Sequence, residues 1–153
     1  MNWLEYRKEP VTLHSGGRSH WLVRADLMFA DEELRTAVVQ RWRQLLPGGG
    51  ADIVAVPRGG LVWAEALHGN YAAFDVTVNE LPVFELARLV KPRENRALIL
   101  LDDVVTTGAS MLLLPAATHR VAVVDRRLNY DIFGGEVLSW ARMPLPLVEE
   151  ERP

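Results

Sequence analysis

The chain has 153 residues, of which 49% are hydrophobic and 24% charged, a balance typical of one soluble globular domain. Its formal net charge of −3 argues against a general polyanion-binding surface, so nucleic acid is not expected as a partner. Cysteine is absent, which excludes disulfides and thiolate metal sites. With neither a secretion signal nor a membrane-spanning apolar run in view, we expect a cytoplasmic protein.

The first part of the chain, residues 1–29, predicts a small lobe in which aromatic residues surround a Ser-Gly-Gly-Arg-Ser turn. A helix is predicted next, over residues 31–46, because apolar residues recur at helical spacing behind Asp31, a suitable N-cap. The recurring apolar residues are Leu34, Val38, Trp42 and Leu45. This helix opens the predicted core of the single domain, residues 30–143.

Three apolar runs rich in β-branched residues predict strands, at residues 53–56, 97–101 and 121–124. Continuous rather than alternating apolar runs are typical of parallel strands covered on both faces. Short helices are predicted after the first two, at residues 61–68 and 110–117. The resulting βαβαβ order predicts an α/β fold, a mainly parallel sheet flanked by helices, with ligands bound beyond the carboxyl ends of the strands.

Two stretches are less regular. Residues 74–78 fit a strand, and residues 83–90 fit either a short helix or the arm of a hairpin. Residues 144–153, which begin and end with proline, predict a frayed tail.

The most informative motif follows the second strand, where Asp102 and Asp103 precede a Thr-Thr-Gly-Ala-Ser turn. Hydroxyls and a glycine at a helix entrance leave backbone N–H groups free to converge on an anion, and a helix N-terminus favours negative charge. Carboxylates beside a phosphate are useful if they accept hydrogen bonds from sugar hydroxyls or help to hold a divalent cation. A phosphorylated sugar satisfies both halves, although an acid pair followed by Thr and Gly is more often an ordinary turn and N-cap.

The thirteen residues 98–110 resemble the phosphoribosyl pyrophosphate (PRPP) signature of the type I phosphoribosyltransferases, which implies the Rossmann-like fold of that family. By this resemblance, Asp102 and Asp103 are the catalytic acids, contacting the ribose hydroxyls and serving as ligands for Mg²⁺. The turn that follows them would wrap the 5-phosphate. Its residues are Val105, Thr106, Thr107, Gly108, Ala109 and Ser110.

A second turn, after the first strand, consists of Pro57, Arg58, Gly59 and Gly60. It combines one fixed cation with two glycines that let a backbone approach a ligand closely. The turn resembles the pyrophosphate loop of the same family. An unremarkable surface turn is the alternative, and the position at the end of the strand preceding the PRPP motif favours the loop.

Two further stretches resemble the orotate phosphoribosyltransferases. Residues 11–21 are similar to a segment in which a Ser-Gly turn and aromatic side chains border the base. Residues 123–127 are similar to an Asp-Arg pair whose arginine contacts the carboxylated pyrimidine. The resemblance therefore implies base contacts from Ser15, Trp21 and Arg126. A plain hairpin turn and a solvated loop are the alternatives for the two stretches.

The mobile lysine-rich loop of the orotate enzymes has no clear counterpart here, because residues 61–97 contain a single lysine. The candidate lid cations are Arg88, Lys91 and Arg93. His14 occupies a position where the family usually has a ligand-binding lysine. Because cations neutralise the charge that develops on departing pyrophosphate, a chain lacking them would turn over slowly.

The resemblance implies two functions. The first is Mg²⁺-dependent transfer of the phosphoribosyl group of PRPP to a nitrogenous base, orotate or a related pyrimidine, with release of pyrophosphate in pyrimidine biosynthesis. The second, favoured by the short lid, is a protein that binds PRPP or a nucleotide without turnover and regulates a partner. Analogy with the family implies a homodimer.

Overall fold

The computed structural model describes residues 2–13, 15–68, 71–75, 93–128 and 136–151. The chain begins with an antiparallel hairpin of β1 (Leu4–Thr12) and β2 (Arg18–Val23). Its turn is closed by a 2.7 Å hydrogen bond from the Leu13 N–H to the Gly17 carbonyl. Gly16 has φ of 93°, a conformation that glycine adopts without steric penalty. A short helix, α1 (Ala25–Ala30), follows the hairpin.

Helix α2 (Glu32–Leu45) confirms the helix predicted from apolar spacing. The Asp31 carboxylate caps it by accepting a 3.2 Å hydrogen bond from the Leu34 N–H. The buried Trp42 donates through Nε1 to the Ala122 carbonyl at 2.9 Å, which ties the helix to the sheet.

The core is a five-stranded parallel sheet formed by β3 (Ala51–Ala55), β4 (Tyr71–Asp75), β5 (Ala97–Val105), β6 (His119–Asp125) and β7 (Leu138–Arg142). The order of the strands across the sheet is β4-β3-β5-β6-β7. Three of them confirm the strands predicted from continuous apolar runs. The strand predicted at residues 74–78 overlaps β4 and otherwise lies outside the described residues, as does the element predicted at residues 83–90.

Both faces of the sheet are covered, which explains the continuous apolar runs. On one face, Ile53, Ile99 and Leu101 pack in a cluster with Trp42 and Trp63. On the other face a second cluster is formed by Val54, Val56, Leu98, Leu100, Met111 and Leu114. Burial of alternate residues in two separate clusters leaves no position along these strands for a solvated side chain.

The topology indicates where a ligand would bind. Strand β3 lies between β4 and β5, and the chain passes first to β4 on one side of it and then to β5 on the other. The carboxyl ends of strands flanking such a reversal of strand order form the crevice in which open α/β sheets bind ligands. Helix α3 (Gly59–Leu67) follows β3 at this point and matches the helix predicted at residues 61–68.

Two sequence-based expectations are corrected here. The helix predicted at residues 110–117 is a single 3-10 turn, Ala109–Leu112, because Pro115 has no N–H to continue a helix and disfavours helical geometry before it. The predicted frayed tail instead packs on the core in its described part, which ends at residue 151. Leu145 is buried and donates from its N–H to the Arg126 carbonyl at 3.1 Å, and Val148–Glu151 form a last 3-10 turn. No helix among the described residues has the length and apolar character needed to cross a membrane.

Candidate functional site

The turn after β3 and the end of β5 are in direct contact. The Val56 N–H donates to the Leu101 carbonyl at 2.8 Å. A methyl group added at Gly60 would lie 2.9 Å from the Leu101 carbonyl oxygen, and one added at Gly59 would lie 1.8 Å from Oδ2 of Asp103. At Gly60 the neighbouring atoms are main chain, so the close approach there requires glycine, and the two motifs predicted from the sequence form one site at the carboxyl edge of the sheet.

The two acids lie inside β5, because the strand continues beyond the predicted apolar run to Val105. Asp102 is 8% exposed and accepts two hydrogen bonds, from the Asp103 N–H to Oδ1 at 2.8 Å and from the Ser110 hydroxyl to Oδ2 at 3.0 Å. Burial, and then the neighbouring charge of Asp103, raise the pKa of Asp102 well above its usual range. Asp103 is half-buried, and its Oδ1 accepts from the Val104 N–H at 2.8 Å.

The turn that follows comprises residues 106–108, of which Thr106 and Thr107 are half-buried and Gly108 is buried. Gly108 has φ of 90°, and the Ala109 N–H donates to the Thr107 hydroxyl at 3.3 Å. Among the described residues, no group accepts a hydrogen bond from the N–H of Thr106, Thr107 or Gly108. Three successive N–H donors are thus available to an anion. The expected help from a helix dipole is small, because the helix that follows is a single turn.

The turn at residues 57–60 adds one cation to the site. Arg58 is exposed, and its guanidinium makes no hydrogen bond or ion pair with a described residue. The turn is closed by hydrogen bonds from the Gly60 N–H to the Val56 carbonyl at 3.0 Å and from the Leu61 N–H to the Arg58 carbonyl at 3.1 Å. The peptide bond between Pro57 and Arg58 is cis.

The three residues predicted to border a base differ from one another in exposure and in contacts. Ser15 is exposed in the hairpin turn. Trp21 is half-buried on β2, where its ring meets Tyr6 edge-on at 5.0 Å. Arg126 is 1% exposed, and its guanidinium is hydrogen-bonded to other residues of the protein, so its contact with a base stays a prediction. Burial lowers the pKa of Arg126 from its ordinary value.

Arg93, a candidate lid cation, is bound elsewhere in this structure, and its role in a lid stays a prediction. Its Nε donates to Oδ2 of Asp52 at 2.6 Å, and Arg96 donates to Oδ1 of the same residue at 3.3 Å. Asp52 pairs with Leu98, four residues before Asp102 on β5. At about 3.3 Å per residue, the acid that holds Arg93 lies roughly 13 Å from the candidate site, toward the amino edge of the sheet. Arg88, Lys91 and His14 lie outside the described residues.

Sequence reasoning missed two buried polar residues that organise this region. Asp52 interrupts an apolar strand, a signal that a buried acid needs a cationic partner. Ser19 carried no such signal, yet it is fully buried and bonds to three other residues. The described residues contain no group of three or more His, Asp or Glu side chains that could hold a metal ion.

Comparison with solved structures identifies the fold. The orotate phosphoribosyltransferase of Aeropyrum pernix superposes with a TM-score of 0.63 at 21% identity, covering 92% of this chain and 88% of that one. The Mycobacterium tuberculosis orotate phosphoribosyltransferase gives 0.62 at 19% identity, with 92% and 89% covered. Leishmania donovani UMP synthase gives 0.64 at 16% identity, with 92% of this chain and 33% of that one covered.

The chain has the type I phosphoribosyltransferase fold. No protein-family model and no curated protein matches its sequence, so the shared feature is the arrangement of the chain rather than close sequence similarity. In this fold, the loops after β3 and β5 are the ones that meet at the reversal of strand order. These are the loops that carry Arg58 and the acid pair.

Proposed function

We propose that this chain binds PRPP at the carboxyl ends of β3 and β5 and transfers its phosphoribosyl group to a nitrogenous base, releasing pyrophosphate. The observation that carries the proposal is the direct contact of the two loops. It joins two acids, a row of unpaired N–H groups and an exposed arginine at one crevice.

Each group has a role suited to its chemistry. The N–H groups and hydroxyls of residues 106–110 would hold the 5-phosphate, and Asp102 and Asp103 would accept hydrogen bonds from the ribose hydroxyls. Arg58 would neutralise the pyrophosphate. As the bond from the anomeric carbon to pyrophosphate breaks, the base nitrogen donates its lone pair to that carbon and loses its proton.

The acids fit a magnesium ion that arrives with the diphosphate rather than a resident metal. Mg²⁺ keeps several waters and takes one or two carboxylates together with substrate phosphates. Asp102 is buried and already accepts two hydrogen bonds, which leaves Asp103 as the more available carboxylate. When bound, the ion would offset the negative charge of the leaving pyrophosphate.

Orotate is the first acceptor to test, because the sequence resembles orotate phosphoribosyltransferases and two of the similar structures are enzymes of that name. A homodimer acting in the cytoplasm in pyrimidine biosynthesis is part of the same proposal and rests on the sequence resemblance.

A second candidate is ligand binding without turnover. It is favoured by the scarcity of cations, since Arg93 is held by Asp52 and Arg126 is buried. Arg58 then remains as the exposed guanidinium of the two described loops.

The two candidates separate in one set of measurements on the full chain. Calorimetry with PRPP and Mg²⁺ tests binding, and release of pyrophosphate with orotate, uracil, purines and small amines tests transfer. Transfer predicts both signals, and both should weaken at least tenfold in Asp103→Asn. Binding without release in any mixture would favour the second candidate, and no binding of PRPP would contradict both.

Asp31→Asn is the matched control for this substitution. Asparagine caps a helix as well as aspartate does, so the acid-to-amide change at Asp31 should leave the fold and both signals intact.

A further inference from the structure

Arg126 joins three segments of the chain that are far apart in sequence. Its guanidinium donates to the Trp21 carbonyl at 2.9 Å, to the Ser19 hydroxyl at 2.8 Å and to the Leu145 carbonyl at 3.4 Å. All of these acceptors are neutral, and no carboxylate of the described residues forms an ion pair with it. Glu150 interacts favourably with the Arg126 charge but forms no ion pair with it, and a buried cation whose hydrogen-bond partners are all neutral is costly, which points to a structural role for these hydrogen bonds.

Ser19 of the hairpin belongs to the same set of hydrogen bonds, which we call the junction. Its hydroxyl accepts from Arg126 and from the Trp21 N–H at 3.0 Å, and it donates to the Pro146 carbonyl at 2.8 Å. The Leu145 N–H in turn donates to the Arg126 carbonyl at 3.1 Å. Strand β2, the residue after β6 and the carboxy-terminal segment are therefore held by one connected set of hydrogen bonds.

This junction lies beside the candidate site. Asp125, the last residue of β6, pairs with Val105 of β5, and the Arg126 N–H donates to the Val105 carbonyl at 2.9 Å. Val105 directly precedes the turn that would hold the 5-phosphate. The hairpin is thus fastened to the edge of the sheet at the residue where that turn begins.

The next arginine is committed internally as well. Arg127 is 2% exposed and forms a two-point ion pair with Asp125, with distances of 2.9 Å from Nε to Oδ1 and 2.7 Å from the terminal nitrogen to Oδ2. Both guanidinium groups that follow β6 are therefore held by partners within the protein. Neither is presented to the carboxylate of a bound base.

We propose that Arg126 is a positioning residue, which fixes the amino-terminal hairpin against the carboxyl edge of β6, and that the base accepted beside it is uncharged rather than carboxylated. The second half rests on the proposed function. The first half is a property of the protein without any ligand.

Hydrogen exchange of the full chain tests the positioning role. In Arg126→Gln, the Trp21 and Leu145 amides should exchange at least tenfold faster, while the Ile99 amide in the sheet core is unchanged. Arg126→Lys should restore protection only in part, because one ammonium can replace the terminal nitrogen that binds Ser19 and Leu145 but not also the second one, which binds the Trp21 carbonyl. Unchanged exchange at Trp21 and Leu145 would overturn the role.

Two further variants complete this experiment. Arg120→Gln removes another partly buried arginine of β6 that donates to a main-chain carbonyl, Met111 at 2.8 Å, and should leave hairpin exchange unaltered. If Arg126→Gln fails to fold, Ser19→Ala takes its place, since it removes one arm of the junction and keeps the guanidinium. Ser19→Ala should speed exchange at the same two amides, and wild-type protection there would overturn the role.

The acceptor class is tested with orotate and uracil, which differ only by the carboxylate. Their affinities are compared by calorimetry on wild-type protein saturated with ribose 5-phosphate. The absence of an orotate preference agrees with the proposal. A preference of tenfold or more that disappears in Arg126→Lys would overturn it. Failure of ribose 5-phosphate and PRPP to bind would instead contradict the proposed function, leaving the exchange result to decide the positioning role.

Discussion

At the scale of single residues, the surroundings of Asp102 disfavour the charged form of its own carboxyl group. It is 8% exposed, and Asp103 is its neighbour in the chain. Loss of water disfavours a charged carboxylate, so its pKa is raised, even though Ser110 and the Asp103 N–H stabilise the ionised form by hydrogen bonding. The predicted ligand Ser110 therefore also orients an acid, a role that the linear sequence could not indicate.

Asp102→Asn should stabilise the ligand-free protein at neutral pH. Because the folded-state pKa lies above the unfolded value, the folded state binds more protons between the two values, and stability falls as the pH rises through that window. The cost is fully present above the folded pKa, and asparagine removes it. Asp102→Asn should therefore have a higher free energy of unfolding than wild type at pH 7.5.

Urea denaturation of both proteins at pH 7.5 and near pH 4 checks this prediction. The difference in unfolding free energy should shrink toward the lower pH, where Asp102 is protonated in the folded state. An Asp102→Asn protein less stable than wild type at pH 7.5 would contradict it.

At the scale of elements, the site depends on how closely α3 begins beside β5. A Cβ at Gly60 would meet main-chain atoms, with the Leu101 oxygen at 2.9 Å and Asp102 Cα at 3.6 Å, and these cannot swing aside as a side chain can. The contact between the loops is therefore fixed by backbone geometry. Asp103 is the more adaptable neighbour, since the group near Gly59 is the end of its side chain.

Gly60→Ala should destabilise the protein by about 1–3 kcal/mol, the usual cost of forcing a methyl group into a packed region. It should also weaken PRPP binding, because β5 and the turn after β3 must separate. Gly48→Ala is the matched control, since a Cβ there meets nothing within 4 Å. Chemical denaturation and calorimetry on both variants decide the matter, and indistinguishable variants would count against the close contact.

The elements that could be predicted are those whose burial is simple. Strands β3, β5 and β6 are covered on both faces and have continuous apolar runs, whereas the half-buried β7 (Leu138–Arg142) mixes serine, tryptophan and arginine and was not predicted. The Asp102 and Gly60 motifs were found because short turns of special composition are local. The burial of Arg126 could not be predicted, because its partners, such as Ser19 and Leu145, are distant in sequence.

At the scale of the whole molecule, the charged residues discussed above form two groups at opposite edges of the sheet. The acid pair and Arg58 lie at the carboxyl edge, whereas Asp52 holds Arg93 and Arg96 toward the amino edge. In the sequence, Arg93 lies between the two ligand motifs. In the fold, it shortly precedes the first residue of β5 and therefore lies near the amino edge of the sheet, away from the ligand motifs. Which edge a connecting residue reaches depends on the complete crossover, and this is why the lid could not be predicted.

Arg93→Gln should therefore lower stability without affecting the ligand. Arg93 lowers the pKa of Asp52, whose stabilising effect is present at neutral pH and is lost as the pH falls through its folded-state pKa, below the ordinary 3.8. Because the Arg93 side chain is 55% exposed and its charge is screened by solvent, the expected loss at pH 7.5 is small. The PRPP dissociation constant should stay within about twofold of wild type, whereas Arg58→Gln should raise it at least tenfold. A tenfold loss of PRPP affinity in Arg93→Gln would contradict this prediction and would support a lid role for Arg93.

The central claim is that the turn at residues 106–110 and the acids before it hold a phosphoribosyl group. A crystal structure of the full chain with PRPP and Mg²⁺ tests it most directly. We expect the 5-phosphate within hydrogen-bonding distance of the N–H groups of Thr106, Thr107 and Gly108, with the ribose hydroxyls on Asp102 and Asp103. Ordered PRPP at any other place, or an empty turn at saturating ligand, would contradict the account.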